Sequence, residues 1–350
     1  VRLTCTMHIA IDAAGGDFAP RRIIDGALVA ARNFGFGLTF VGNRQEIEAE
    51  LTGHSDAMRV DVRLVDATDI VGPSETPADA FRRKPGSTVR RAADMVANGE
   101  AAAFFSAGNT GATFLAAQAA CGLLPGVERP ALATTIPTRH GSAVLLDAGA
   151  NVECRPGHLV QFAVMGCLYA HLSLGIARPT VGLLSIGEEA TKGNELTRET
   201  HRRLKASKLD FVGNVEAKDL YSGLADVIVC DGFTGNIALK VSEGLVEVIE
   251  ELLREELTRT FTTRFGYLLS QRAFRRFRRR VDYSEVGGAP LLGIAGLCVV
   301  GHGCSSAKAV RNAVALCYRL ANQDFVGCVD SEMSFISGES EVVTGERVRS

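Results

Sequence analysis

The sequence predicts an α/β fold, with a largely parallel sheet covered on both faces by helices and divided into two lobes. Three observations carry this. Short apolar runs alternate with helical patterns along the whole chain. Glycine-rich loops sit between strand and helix in unit after unit, as parallel connections require. The 350 residues, 46% apolar and 22% charged, are enough to bury a large core.

Residues 8–11 read as a short apolar strand, and Pro20 opens a helix running to about 33. A strand at 38–41 is followed by Asn43, which caps a helix through 51. Residues 60–65 alternate as a strand, and 76–83 and 87–97 read as helices. The buried strand 101–105 runs through SAGNTGAT into a helix. Strands at 143–146 and 181–186 are followed by helices at 156–174 and 195–206. Residues 227–230 form a strand leading into DGFTGN and a helix, and 297–300 a strand leading through HGCSS into a helix ending near 320. With no linker in sight, 7–336 is read as a single catalytic unit, bearing a helical projection at about 236–281 and followed by a polar C-terminal tail at 337–350. Residues 1–6 precede the first strand, and Met7 reads as the natural start.

Composition excludes several classes. A formal charge of -2 and the absence of tryptophan argue against a nucleic-acid partner. Nine cysteines without a CxxC pair fit a reduced cytosol rather than a disulfide framework or zinc site. Cys167, Cys230 and Cys298 sit in apolar runs and read as core residues. The uncharged stretch 159–177 approaches membrane-spanning length, but its polar interior positions fit a buried helix. No nucleophile elbow, P-loop, dinucleotide fingerprint or histidine pair at metal spacing is present.

Five loops follow buried strands: GGDFAP (15–20), SAGNTGA (106–112), DAGAN (147–151), GEEATKGNE (187–195) and DGFTGN (231–236). Loops at strand C-termini are where open α/β sheets bind ligands, and helix starts offer free N–H groups to anions. Plain turns are the alternative reading. Lys192 is the one lysine in these loops, either a point charge for phosphate or a solvated side chain. Asp147 and Asp231 end strands, where they cap helices, brace loops or touch substrate. His302 precedes Gly303 and is structural or catalytic.

In order, the segments IAIDAAGGDFAP, SAGNTGA, RPALA, LLDAGANVECRPGHLVQFAVMG, VGLLSIGEEATKGNE, FVGNVEAKDL, DVIVCDGFTGN and DYSEVGGAPLLG, with the HG that follows, resemble the phosphate acyltransferase family of bacterial phospholipid synthesis. They span about residues 7 to 320. Ala14 stands where the family usually has methionine, and Ser185 where it has asparagine. The resemblance implies an α/β/α sandwich around a cleft, like isocitrate and isopropylmalate dehydrogenases and phosphotransacetylases, and usually a homodimer. It implies transfer of a fatty acyl group from acyl carrier protein to inorganic phosphate, with no cofactor, metal or nucleotide. The product would pass to a membrane-embedded glycerol-3-phosphate acyltransferase. The enzyme would be cytoplasmic, or peripheral on the inner face of the membrane.

On this reading the catalytic candidates are Lys192, Asn194, Asp231, Asn236 and His302. The substrate and phosphate candidates are Asp12, Gly15, Gly16, Asp17, Ser106, Gly108, Asn109, Thr110, Asp147, Asn151, Gly193, Gly232, Thr234 and Gly235. Phosphate oxygen attacks a thioester and thiolate leaves, so no protein nucleophile is needed. Competing readings are a coenzyme A-dependent phosphate acetyl- or butyryltransferase, an isopropylmalate-type dehydrogenase lacking its visible aspartate cluster, and a noncatalytic scaffold. The segment 259–280 has eight arginines and no acid, with Arg272, Arg275, Arg276 and Arg279 at helical spacing opposite Phe274, Phe277 and Val281. It reads as a surface for an anionic membrane or for the acidic carrier, with packing in a dimer as the plainer alternative.

Overall fold

Strands buried on both faces need helices on either side, and β1 (His8–Asp12) and β2 (Gly37–Gly42) are buried along their whole length. The computed structural model describes residues 7–54, 57–281 and 287–334. Residues 1–6, the tail expected over 337–350, and the side chains of Arg275, Arg279 and Val281 lie outside the described residues. Helix α1 (Arg21–Phe34) follows β1 and α2 (Arg44–Thr52) follows β2, after which β3 (Val62–Asp66) leads to α3 (Pro77–Arg83) and α4 (Thr88–Ala97). Next come β4 (Ala103–Ser106), α5 (Thr110–Cys121), β5 (Ala131–Leu132), β6 (Thr134–Pro137), β7 (Ser142–Leu146) and α6 (Pro156–Leu174). Then follow β8 (Thr180–Ser185), α7 (Glu195–Ala206), β9 (Asp210–Glu216), β10 (Val227–Val229), α8 (Gly232–Thr258) and α9 (Phe261–Val281). Strands β11 (Ala289–Leu292) and β12 (Cys298–Val300), α10 (Ala307–Asn322) and a last helical stretch over 325–334 close the described chain.

Parallel pairing dominates, but the strands divide into two sheets, of order β3-β2-β1-β4-β12-β11-β5 and β6-β7-β10-β8-β9. Both carry antiparallel edges, β5 and β11 in the first and β6 in the second. The chain changes sheet at Ala133, between β5 and β6, where its N–H donates to Pro290 O at 3.0 Å. One hydrophobic cluster takes Ile9, Phe105 and Val299 from the first sheet and Val144, Val181 and Val227 from the second. Helix α6 is long and apolar enough to cross a membrane, yet half of it is buried, with Leu159, Phe162, Met165 and Gly166 packed inside. Cys230 and Cys298 are buried as expected, and Cys167 is half-buried.

The tie between the sheets is a carboxylate. Asp147, at the end of β7, has no solvent exposure. It accepts backbone N–H bonds from Leu132 (3.0 Å), Gly149 (3.1 Å), Ala150 (3.0 Å) and Asn151 (2.7 Å), and one from Asn151 Nδ2 (2.8 Å). Leu132 belongs to β5 of the other sheet, and its carbonyl accepts from Ala148 N–H at 2.9 Å. Burial pushes the Asp147 carboxyl up from its usual range, while these hydrogen bonds pull it down.

Helices α8 and α9 carry an exposed apolar surface. Leu245, Val248, Ile249 and Leu252 of α8, and Phe261, Phe265, Leu268, Leu269 and Phe277 of α9, are exposed. Phe274 is half-buried, its ring 5.2 Å from that of Tyr267.

Asp147→Ala strands several N–H groups where water cannot reach them, which costs about 3 kcal/mol or more. Urea unfolding should show that loss, and a change below about 1 kcal/mol would remove Asp147 from its bracing role.

Candidate active site

In each sheet, the strands that carry the candidate loops are parallel neighbours, so their loops emerge along one edge. In the first sheet these strands are β1, β4 and β12, and in the second β7, β10 and β8. Strand order reverses between β1 and β4, the point at which open α/β sheets leave a crevice.

Asp12 and Ser106 face each other there. Ser106 Oγ donates to Asp12 Oδ2 at 2.7 Å, and both residues are buried. Burial pushes the Asp12 carboxyl up, opposed by bonds from Ser106, Thr88 and the backbone of Ala14 and Gly15. A Cβ on Gly15 would lie 2.7 Å from Asp12 Oδ2 and 2.9 Å from Gly108 N, so this wall closes only around glycine. Gly16 (φ 110°) sits against Gly303 O, which accepts from Asp17 N–H at 2.8 Å. This joins the loops after β1 and β12. A small cavity lies beside them, lined by Asp12, Gly15, Val71, Thr88, Ser106 and Asn109.

Asn109 caps α5, accepting from Ala112 N–H at 3.0 Å. Its Nδ2 donates to the carbonyls of Gly72, Pro73 and Glu75. The side chain is therefore a brace for the 72–75 turn, which leaves Thr110 exposed at the helix start. Lys84 holds the same turn from the other side, with Nζ 2.6 Å from both Ile70 O and Glu75 Oε1.

In the second sheet, Asp147 and Asn151 are inward braces: Asn151 Nδ2 also donates to Pro130 O at 2.7 Å. DGFTGN is not a loop. Asp231 accepts from the Thr234 N–H (2.9 Å) and hydroxyl (2.8 Å), so α8 begins at Gly232 directly after β10. Gly232, Thr234, Gly235 and Asn236 lie in its first turn. Gly235 must be glycine, since a Cβ would stand 2.0 Å from Asp147 O. Asn236 is exposed beside Gly149.

Asn194 caps α7 through Thr197 N–H at 2.9 Å. Just before it, Lys192 is exposed and its ammonium has no partner among the described residues. The loop that carries it is anchored by Asn214 Nδ2, which donates to Gly187 O and Glu189 O, and by Arg198, which donates to Gly193 O at 2.8 Å. Gly193 (φ 93°) leaves room where a Cβ would lie 2.9 Å from Ser185 Oγ, itself buried with no hydrogen-bond partner among the described residues.

His302 is exposed, with Nε2 3.3 Å from Lys240 Nζ on α8 and Nδ1 3.1 Å from Cys304 Sγ. That contact links the loop after β12 to the helix after β10. Lys240, Thr88, Asn214 and the 72–75 turn were not read from the sequence. Lys240 is a mid-helix lysine and Thr88 opens an ordinary helix, so neither carries a local signal.

The arrangement offers the starts of α5, α7 and α8 to anions, with the exposed Lys192 just before one of them. Residues 7–327 match the family described as fatty acid synthesis protein. The chain is 47% identical over 308 residues to the phosphate acyltransferase of Geobacter sulfurreducens, covering 88% of this chain and 89% of that one. It is 48% identical over 323 residues to that of Desulforudis audaxviator, covering 92% and 95%. In fold alone it is similar to a phosphotransacetylase from Streptococcus pyogenes (TM-score 0.60, 17% identity, 92% and 95% covered) and to a branched-chain phosphotransacylase from Enterococcus faecalis (0.53, 14%, 90% and 99%). The chain belongs to the phosphate acyltransferase family and is an acyltransferase.

Proposed function

We propose that this enzyme transfers a long-chain fatty acyl group, reversibly, from the thioester of acyl carrier protein to inorganic phosphate. The acyl phosphate then enters phosphatidic acid synthesis through a membrane glycerol-3-phosphate acyltransferase. The near-full-length likeness to phosphate acyltransferases carries the reading. A phosphate oxygen attacks the thioester carbonyl carbon, the carbonyl oxygen takes the negative charge, and collapse breaks the C–S bond. The thiol leaves as thiolate without prior protonation, since its pKa is about 8.5. The protein must align two anionic reactants and stabilise the oxyanion. Lys192 supplies a positive charge for phosphate or oxyanion, and Asn236 and the N–H groups at the starts of α7 and α8 supply hydrogen-bond donors. Asn194 and Asp231 position those helix starts, and His302 with Lys240 adds a basic corner at the loop after β12.

The enzyme acts as a cytoplasmic homodimer that reaches the inner membrane face. The exposed apolar stripe of α8 is the proposed contact between copies. The arginines of α9, among them the exposed Arg264, Arg272 and Arg276, face anionic lipid or carrier.

Purified enzyme with palmitoyl-acyl carrier protein and phosphate should yield palmitoyl phosphate, and palmitoyl-coenzyme A should be the poorer donor. Preference for coenzyme A would reassign the carrier. Lys192→Ala should lower kcat/KM by roughly 10²-fold with the fold intact. Near-normal kcat/KM would return Lys192 to the solvated surface. Reversing charge at Arg264, Arg272 and Arg276 should weaken sedimentation with phosphatidylglycerol vesicles while leaving the dimer intact by size exclusion. Unchanged vesicle binding, together with unchanged rates on carrier and on a short pantetheine thioester, would make α9 purely structural.

A further inference from the structure

A cluster outside the catalytic loops has the composition of a metal site. Asp25 lies on α1, Glu50 near the end of α2, and His54 just beyond it. Their potential ligand atoms all lie within 4.8 Å of one another, with His54 Nε2 2.9 Å from Asp25 Oδ1. No motif announces the site, because packing of α1 on α2 brings Asp25 to a Glu and a His from the next element.

Each side chain is partly withdrawn from water, with exposures of 34% for Asp25, 29% for Glu50 and 27% for His54. The backbone pins the turn that carries the imidazole. Gly53 N–H donates to Glu50 O at 3.1 Å, His54 N–H to Leu51 O at 3.0 Å, and Ala57 N–H to His54 O at 3.1 Å. A tetrahedral ion about 2.1 Å from each donor needs donors roughly 3.4 Å apart. The His54–Asp25 spacing of 2.9 Å is shorter than that and the other spacings are no more than 4.8 Å, so small side-chain shifts would seat the ion.

Two carboxylates also need positive charge. Glu50 pairs with Arg21 at 3.9 Å, whose side chain is 79% exposed. Such a pair is held weakly. One imidazole and two carboxylates suit first-row divalent ions better than calcium or magnesium, which take all-oxygen sites.

We propose that Asp25, Glu50 and His54 bind one zinc-like divalent ion that clamps α1 to the end of α2. The ion replaces the His54–Asp25 hydrogen bond: Nε2 gives its lone pair, the imidazole keeps its proton on Nδ1, and water fills the open position. Its role is to fix α1, which starts directly after the 15–20 loop that packs on Gly303.

The test is calorimetric titration of zinc chloride into the full-length, tag-free chain, with cobalt absorption reporting the geometry. One ion should bind per chain, and His54→Ala, Asp25→Asn or Glu50→Gln should each weaken it by roughly tenfold or more. Zinc should raise the melting temperature of the native chain and not that of His54→Ala, while the two melt alike without zinc. Cys304→Ser should bind zinc as the native chain does, since its thiol and His302 are the other soft-metal candidate. Absence of binding at millimolar zinc, native affinity in His54→Ala, or loss of the ion in Cys304→Ser would each overturn the site.

Discussion

The unexposed carboxylate of Asp147 is the constraint on which the cleft depends. A charge withdrawn from water is costly unless it is fully hydrogen-bonded, and this one gathers donors from its own loop, from Asn151 and from Leu132 in the other sheet. Satisfying it fixes the DAGAN loop, docks β5 beside β7 and leaves Asp147 O against Gly235 at the start of α8. Asp147 thus ties the loop edge of the second sheet to β5 of the first. Asp12 and Ser106 do the corresponding work at the switch point of the first sheet.

This division of labour explains why the loops are rich in acids although the substrates are anionic. The buried acids face inward and organise backbone; what remains toward a ligand is N–H groups, amides, hydroxyls and Lys192. Under the proposed function these groups hold phosphate and stabilise an oxyanion, in a reaction whose attacking and leaving groups both come from substrates. Three half-buried cysteines agree with it. Burial pushes Cys154 and Cys167 up to about 12 and Cys121 to about 11, far from thiolate at neutral pH.

Where local pattern and tertiary role coincide, the sequence was readable. Helices 156–174 and 195–206 fall where proline, asparagine cap and apolar content place them. Missed strands lack such signals: β5 is two residues long, β11 is four residues long and contains Pro290, and β9 is half exposed and irregular near Gly213. The division into two sheets follows from those short edges and so was not foreseen. Family motifs singled out the loops that gather at the ends of the parallel strands. Which side chains brace and which face outward depends on donors far along the chain, such as Leu132 for Asp147 and the 72–75 turn for Asn109. Asp25 and His54 likewise meet only through packing.

The central claim is direct transfer from thioester to phosphate with no acyl-enzyme, a claim that the exposed Cys304, 3.1 Å from His302 Nδ1, makes worth testing by mass. The most direct measurement is the intact mass of the enzyme after incubation with palmitoyl-acyl carrier protein, first without phosphate and then with it. Direct transfer predicts an unmodified protein and intact thioester until phosphate is added, then palmitoyl phosphate and free carrier thiol in equal amounts. A palmitoyl adduct on the enzyme that forms without phosphate and is discharged by it would contradict the account.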